Sequence, residues 1–276
     1  MILVTGGAGQ LGTAFRKVIP EARFVDVAEL DLTRADLVVV ALAEMRPEAI
    51  VNCAAYTAVD RAEQEEALAT EINGTALGLM AAYAAVQGIP LLTFSSDYVF
   101  PGDGTTPYLE SSPTAPRNAY GRSKLAGERA ALGICLQALV VRTSWLVSGT
   151  HPNFVATMLR LAAEREVKVV DDQRGCPTMV DDLAPAAWAA LHAGVTGLLH
   201  LTNSGETTWF RFARAAVAAA GLDPGRIVPC ATADYPTPAR RPAYSVLGSE
   251  RRGNLGLPDL PHWEESLPAV VEGLRR

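Results

Sequence analysis

A tyrosine and a lysine four residues apart, Tyr120 and Lys124, are the side chains of this sequence best suited to move a proton. Residues at this spacing share one face of a helix, so the lysine ammonium can sit near the phenol and favour its ionised form. Three lysines and seven tyrosines in 276 residues predict only about 0.08 such pairs by chance at this i,i+4 spacing. The alternative is a surface tyrosine beside a solvated lysine.

A serine and an aspartate follow the apolar segment 90–94, in the run from Ser95 to Phe100. Ligands of an open α/β sheet bind beyond the carboxyl ends of its strands. A hydroxyl at that edge, such as that of Ser96, can donate a hydrogen bond to a carbonyl oxygen as charge develops on it. Ser96, Tyr120 and Lys124 are therefore the candidate catalytic residues, although a simple strand-ending turn would also account for the serines.

A glycine-rich loop, Gly6-Gly7-Ala8-Gly9-Gln10-Leu11-Gly12, follows the first predicted strand and opens a helix. This is the context that a dinucleotide-binding loop requires. Gly6 permits a tight turn, Gly9 lets the backbone approach a pyrophosphate, and Gly12 allows close packing of the helix. The helix N-terminus would supply amide donors. A plain glycine turn is the alternative.

Two carboxylates follow the second predicted strand. Asp26 stands where a side chain can accept both hydroxyls of an adenosine ribose and repel a 2′-phosphate, which favours NADH. Asp31 and Leu32 could place a carboxylate and an apolar wall against the adenine. Asp26 could instead start a turn, and the second pair could be a helix N-cap region with a core leucine.

Short apolar runs at 1–4, 23–27, 49–53, 90–94 and 138–141 alternate with helix-compatible stretches at 11–19, 34–45, 61–87 and 119–132. This alternation predicts a Rossmann-type, doubly wound parallel α/β sheet. Residues 1–145 are expected to form the NAD(P)-binding domain. Residues 146–276 are expected to form mostly a smaller substrate-binding lobe, with segments returning to the first domain. Three prolines exclude a regular helix between Tyr235 and Pro242.

The formal net charge is −6 and no basic run occurs, so a nucleic-acid partner is not expected. No apolar stretch reaches the roughly 18 residues that a membrane-spanning helix requires, and the N-terminus has no secretory signal pattern. Four well-separated cysteines without a C-x-x-C pair predict reduced thiols, with neither a zinc site nor disulfides. We therefore expect a cytoplasmic protein.

Longer runs of sequence resemble a known family. The glycine-rich loop, the runs 52–63 and 95–100, the Tyr120/Lys124 pair and the run 142–145 together look like dTDP-4-dehydrorhamnose reductases, which are extended short-chain dehydrogenases/reductases. The likeness continues through 153–154, 172–178 and 235–242, so it covers nearly the whole chain. It implies reduction of the C4 ketone of dTDP-4-dehydro-β-L-rhamnose to dTDP-β-L-rhamnose, with NADPH as cofactor and NADH as an accepted or preferred alternative.

The resemblance also implies residue roles. Tyr120 would donate a proton to the C4 oxygen, Lys124 would hold the nicotinamide ribose, and Ser96 would hydrogen-bond the same oxygen. The cofactor would contact Gly6, Gly9, Gln10, Leu11, Gly12, Asp26, Asp31, Leu32, Ala54, Ala55, Tyr56, Thr57, Tyr120 and Lys124. The dTDP-sugar would contact Ser96, Asp97, Tyr120, Trp145 and, through its diphosphate, Arg241.

Three positions depart from the family pattern. Ser96 stands where threonine is common, and Tyr56 stands where some relatives have histidine. The first helix lacks the carboxylate through which some relatives hold Mg²⁺ at a dimer interface, so no metal is expected and a homodimer is left open.

Two alternatives share the sequence features: a reductase of another dTDP-4-ketosugar, and a non-catalytic, nucleotide-bound regulatory subunit. The latter would be free to lose the tyrosine or the lysine, and both are present.

Overall fold

Strands and helices alternate along the chain, and the structure, a computed structural model, describes residues 1–276. The strands are β1 (Ile2–Thr5), β2 (Arg23–Val25), β3 (Ala49–Asn52), β4 (Leu91–Ser96), β5 (Ala138–Thr143), β6 (Leu146–Val147), β7 (Val167–Val170), β8 (Arg174–Gly175), β9 (Thr178–Met179), β10 (Gly197–His200), β11 (Asn203–Ser204), β12 (Thr207–Thr208), β13 (Ile227–Cys230) and β14 (Leu260–His262). The α-helices are α1 (Gln10–Val18), α2 (Ala35–Met45), α3 (Val59–Ala62), α4 (Glu66–Thr70), α5 (Ala76–Gln87), α6 (Ala119–Ile134), α7 (Phe154–Glu164), α8 (Val180–His192), α9 (Trp209–Ala219), α10 (Arg251–Asn254) and α11 (Trp263–Leu274). None of these helices is both long and apolar enough to cross a membrane.

The central sheet has six strands in the order β2-β1-β3-β4-β5-β10, and every neighbouring pair is parallel. Every residue of β4 and β5 is buried, as expected for strands covered on both faces. Strands β2 and β3 lie on opposite sides of β1, so the direction of the strand order reverses between β1 and β3. The carboxyl edge at such a reversal is where ligands bind in sheets of this kind. The predicted doubly wound Rossmann-type fold is confirmed.

Helices cover both faces of this sheet. On one face the largest core cluster combines α1 with α8, including Phe15 and Leu183. On the other face α2, α5 and α6 bury Leu42, Met80 and Ala131. Because α8 and β10 come from the second half of the chain, that half completes the core of the first.

The remaining second-half elements form a smaller lobe. Helices α7, α9 and α11 pack around Phe212 and Trp263, with short strand pairs β7–β13, β6–β9, β8–β12 and β11–β14 at the edges. Helix α11 and the two-residue strands were not predicted. A division of the chain near residue 145 stays a prediction.

The single helix predicted over 61–87 is divided in the structure into α3, α4, a π-helical turn over Glu71–Thr75, and α5. The buried Asn73 in this turn explains the irregularity. Its side-chain oxygen accepts the Tyr56 N–H at 2.9 Å, while its amide nitrogen donates to the Tyr56 carbonyl and to the Ser123 hydroxyl. The turn therefore connects the segment after β3 to α6.

Candidate active site

Helix α6 carries the Tyr120/Lys124 pair and is fixed at its start by two close contacts. The Asn118 side chain caps the helix by accepting the Gly121 N–H at 2.7 Å, and its amide donates to the Arg240 carbonyl at 2.9 Å. Gly121 lies so close to the turn after β4 that a Cβ would come within 2.2 Å of the Tyr98 carbonyl oxygen. These contacts set Tyr120 against the carboxyl end of β4.

Burial controls the acidity of Tyr120. It raises the pKa of the phenol to about 12, and hydrogen bonding from Ser96 only partly opposes this effect. The phenol is therefore protonated at neutral pH, as a proton donor must be. That Lys124 favours the ionised form of this phenol stays a prediction.

Lys124 is buried and donates a hydrogen bond to the Phe94 carbonyl of β4 at 2.7 Å. Burial lowers the pKa of its ammonium to about 8, with Glu128 acting in the opposite direction. The lysine is thereby fixed at the same strand that leads into Ser96.

Ser96 and Asp97 form a buried polar pair at the end of β4. The Ser96 hydroxyl donates to Asp97 Oδ1 at 2.9 Å and accepts the Tyr98 N–H at 3.2 Å. Asp97 Oδ2 is buried without a close hydrogen-bond partner. Burial raises the pKa of this carboxyl to about 6, and the hydrogen bond from Ser96 only partly opposes this effect. Ser96, Asp97 and Tyr120 are thus brought together, as their predicted roles require.

The glycine-rich loop has the geometry of a phosphate cradle. Gly6 has a φ of 65°, a conformation that glycine adopts readily. A Cβ on Gly12 would come within 2.1 Å of the Gly6 carbonyl oxygen, so α1 packs directly on the loop. No side chain caps α1, so its first amides are available to an anion. This arrangement fits the diphosphate of a dinucleotide.

A cleft of about 340 Å³ opens beyond β1, β2 and β3. Its lining includes eight of the predicted cofactor-binding residues: Gly6, Gly9, Asp26, Asp31, Leu32, Ala54, Ala55 and Thr57. The structure places Gln10, Leu11 and Gly12 at the start of α1, outside this lining. Asp26 Oδ2 accepts the Ala8 N–H at 2.8 Å, so the carboxylate also supports the loop. The Tyr56 hydroxyl donates to Glu65 at 2.6 Å and is not part of the lining.

A larger cleft of about 630 Å³ lies between the sheet edge and the smaller lobe. Arg241 lines it and pairs with Asp60 at 2.7 Å, which holds the pKa of that carboxyl below its usual range. Trp145 lies outside the lining and stacks on Trp209 with ring centroids 3.5 Å apart. Trp209, rather than Trp145, contributes to the cleft wall.

Sequence inspection missed two other residues of this larger cleft, Lys168 and Gln173. Lys168 is one of only three lysines in the chain, which could have drawn attention to it. Asn73 and Asn118 were missed as well, and the position of Asn118 directly before a helix was an available sign.

A dinucleotide-type fold with a serine, a tyrosine and a lysine at the carboxyl edge of the sheet defines a short-chain dehydrogenase/reductase. The comparisons agree: a family model described as the RmlD substrate binding domain matches residues 1–276. A dTDP-4-dehydrorhamnose reductase from Streptomyces griseus is 44% identical, over 97% of this chain and 93% of the relative. The chain belongs to the dTDP-4-dehydrorhamnose reductase family.

Two further relatives bear on cofactor and substrate. A Bacillus anthracis dTDP-4-dehydrorhamnose reductase, solved in complex with NADP, superposes with a TM-score of 0.93 at 37% identity, covering 98% of this chain and 97% of that chain. A Streptomyces antibioticus protein named as a probable dTDP-4,6-dihydroxy-2-methyloxan-3-one 4-ketoreductase is 46% identical, over 96% of this chain and 92% of the relative.

Proposed function

We propose that this protein reduces the C4 ketone of dTDP-4-dehydro-β-L-rhamnose to dTDP-β-L-rhamnose with NADPH. The observation that carries the proposal is the placement of Ser96 and Tyr120 together at the end of β4, in a chain that matches this family over its full length. A protein that only bound a nucleotide would have no need to keep a protonated phenol beside a hydroxyl at this edge.

In this proposal Tyr120 supplies the proton and NADPH, when bound, supplies the hydride. The phenol is neutral at physiological pH, because burial raises its pKa to about 12, and it donates its proton to the C4 oxygen as negative charge develops there. The Ser96 hydroxyl turns from Asp97 to donate a hydrogen bond to the same oxygen. Lys124, held by the Phe94 carbonyl, would hold the nicotinamide ribose through its remaining N–H groups.

The cofactor is proposed to lie along the smaller cleft, with its diphosphate at the start of α1 and its adenosine near Asp31 and Leu32. NADPH is the first choice because a relative was solved with NADP. NADH is proposed as the alternative cofactor, because the carboxylate of Asp26 would repel the 2′-phosphate of NADPH.

The dTDP part of the substrate is proposed to occupy the larger cleft. Arg241 and Lys168 supply the cationic groups of its lining, and Trp209 supplies an aromatic face. A guanidinium suits phosphate oxygens through its paired donors. We extend the proposal to the domain division: residues 1–145 bind the cofactor, and residues 146–276 mostly bind the sugar nucleotide.

The setting of the reaction is proposed as the cytoplasm. All four cysteines are free thiols, which suits a reducing compartment. The number of subunits is left to measurement of the molecular mass in solution, with a homodimer as the form that the family resemblance suggests.

A second candidate substrate is a different dTDP-4-ketosugar. The name of the Streptomyces antibioticus relative favours it, because that protein is described as acting on another 4-ketosugar at 46% identity. The residues at the reacting carbon would be the same, so the two candidates differ only in the groups on the sugar ring.

The experiment is a coupled assay in which dTDP-4-dehydro-L-rhamnose and a 2-deoxy dTDP-4-ketosugar are each supplied with NADPH and then with NADH. Loss of nicotinamide absorbance gives kcat/KM for each combination. A preference for the rhamnose precursor of tenfold or more, corresponding to about 1.4 kcal/mol, supports the first candidate. The reverse preference supports the second, and no oxidation with either sugar contradicts both.

A further inference from the structure

A loop from the second half of the chain reaches the glycine-rich loop. This connection, residues 148–153, follows β6 and ends at α7. The His151 Nε2 lies 2.9 Å from the Ala8 carbonyl oxygen, and its Nδ1 lies 2.9 Å from the Thr150 hydroxyl. A carbonyl can only accept, so Nε2 carries the proton that is donated to Ala8; in the neutral ring Nδ1 then accepts from the Thr150 hydroxyl.

Both backbone polar groups of Ala8 are consequently hydrogen-bonded to side chains. Its N–H donates to Asp26 Oδ2 at 2.8 Å, and its carbonyl accepts from His151. Ala8 directly precedes Gly9, the N-cap residue of α1. The orientation of the Ala8–Gly9 peptide, whose carbonyl His151 contacts, therefore sets the direction of the amides of the first turn of α1, those proposed to face the cofactor diphosphate.

A second contact joins the same two loops, and the connection is anchored in the smaller lobe. The Asn153 amide lies 3.4 Å from Gln10 Oε1, while its Oδ1 accepts the Ala156 N–H and so caps α7. A Cβ on Gly149 would come within 3.2 Å of the Gly273 Cα in α11. The connection is thus supported by α7 and α11 on one side and contacts the start of α1 on the other.

We infer that His151 is a positioning residue for the cofactor diphosphate: it holds the Ala8 peptide, and with it the glycine-rich loop, in the conformation that presents the α1 amides. This inference rests on the proposed binding of NADPH. His151 acts through Ala8 and needs no contact with the cofactor. Because the same connection leads into α7, whose Phe154 lines the larger cleft, it also links that cleft to the glycine-rich loop.

The test compares His151→Ala with His151→Gln in the full-length protein. Equilibrium binding of NADPH without sugar, followed by quenching of tryptophan fluorescence, gives the Kd of each variant. The alanine variant should bind NADPH about fivefold to tenfold more weakly, the loss expected for one hydrogen bond that orders a binding loop. The glutamine variant retains an N–H donor and should stay within about twofold of the wild type. His192→Ala removes an exposed histidine packed on Trp188 and is the matched control.

Kinetics separates positioning from general support of the fold. With saturating NADPH, kcat and the KM for the sugar should stay within about twofold in His151→Ala, whereas the KM for NADPH should rise with the Kd. An unchanged Kd, or equal Kd values for the alanine and glutamine variants, would overturn the inference. Failure of the wild-type protein to bind NADPH would instead contradict the proposed function, so the two failures are distinguishable.

Discussion

The proposed cofactor side and the proposed sugar side of this enzyme are built in different ways. The cofactor side, the cleft beyond β1 and β3, depends on backbone geometry: Gly6 adopts a positive φ and Gly12 packs on its carbonyl. The sugar side, the larger cleft, depends on side chains from distant segments, such as Arg241 paired with Asp60 181 residues away. The affinity for NADPH should therefore be lost when a single methyl group is added to a glycine of the loop. The affinity for the dTDP-sugar should instead fall stepwise as side chains are removed.

Gly12→Ala should produce the largest loss on the cofactor side. The added Cβ would lie 2.1 Å from the Gly6 carbonyl oxygen, and that oxygen belongs to backbone that cannot yield without moving the loop. We expect NADPH affinity to fall roughly 100-fold, the upper range for overpacking.

Fluorescence titration of NADPH measures the effect, and thermal unfolding establishes that the variant is folded. Gly133→Ala is the control, because a Cβ at that helical glycine meets nothing within 4 Å. Normal NADPH affinity in Gly12→Ala would show that the backbone contact does not define the cofactor side.

Lys124→Met should produce an effect of similar size, a drop in kcat/KM for NADPH of about 100-fold, because the ribose contact and its charge are both lost. In the wild-type enzyme, kcat/KM for NADPH should fall with rising pH for the same reason, the loss of the lysine charge. The pKa of Lys124 is lowered to about 8, so its positive charge is present below pH 8 and lost as pH rises through that value.

A profile of kcat/KM for NADPH, measured from pH 6 to 10, checks this, since that ratio reports on the free enzyme. In Lys124→Met the basic limb near pH 8 should disappear. Its persistence in the variant would assign the limb to another group.

The contrast between the two sides also explains what could be predicted from the sequence. The strands β1 to β5 and the glycine-rich loop were predictable, because apolar periodicity and short-range spacing are local features. The Tyr120/Lys124 pair was predictable for the same reason. The π-helical turn at Asn73 was not, because it follows from hydrogen bonds to Tyr56 and Ser123.

The sugar side could be predicted only in part. Lys168 and Trp209 meet Arg241 in one cleft through the packing of three separate segments, and no local pattern indicates such a meeting. The stacking of Trp145 on Trp209 likewise depends on tertiary structure. Two-residue strands are too short to give a period-2 pattern, so the edges of the smaller lobe left no sign in the sequence.

Arg241→Ala should weaken the sugar side by about tenfold in the KM for the dTDP-sugar, with the KM for NADPH unchanged. One guanidinium is lost, and Asp60 is left unpaired at a partly exposed position. Arg240→Ala, which removes a neighbouring exposed arginine, is the control. Steady-state kinetics with each substrate varied in turn measures the split, and an equal rise in both KM values would contradict the separation of the two sides.

Asp97→Asn should have the smallest effect, and its direction is a gain in stability. The pKa of this buried carboxyl is raised to about 6 from an ordinary value of 3.8, so the fold favours its protonated form. The stability of the fold that depends on the protonated carboxyl is fully present below pH 4 and is lost as pH rises through 6. At pH 8 the neutral amide should raise the free energy of unfolding by about 1–3 kcal/mol, and the difference should vanish near pH 4.

Urea unfolding at pH 8 and pH 4 tests this sign. A variant that is less stable than the wild type at pH 8 would show that the ionised Asp97 is favoured in the fold. The sugar KM should rise in the same variant, because Asp97 lies beside Ser96 at the reacting edge.

The most direct test of the central claim is single-turnover oxidation of NADPH with dTDP-4-dehydro-L-rhamnose by the wild-type enzyme and by Tyr120→Phe. The phenylalanine variant should bind NADPH normally, because its loop and cleft are intact. Its rate should fall by roughly 10³-fold through loss of the proton donor. Turnover by Tyr120→Phe within tenfold of the wild-type rate would contradict the account.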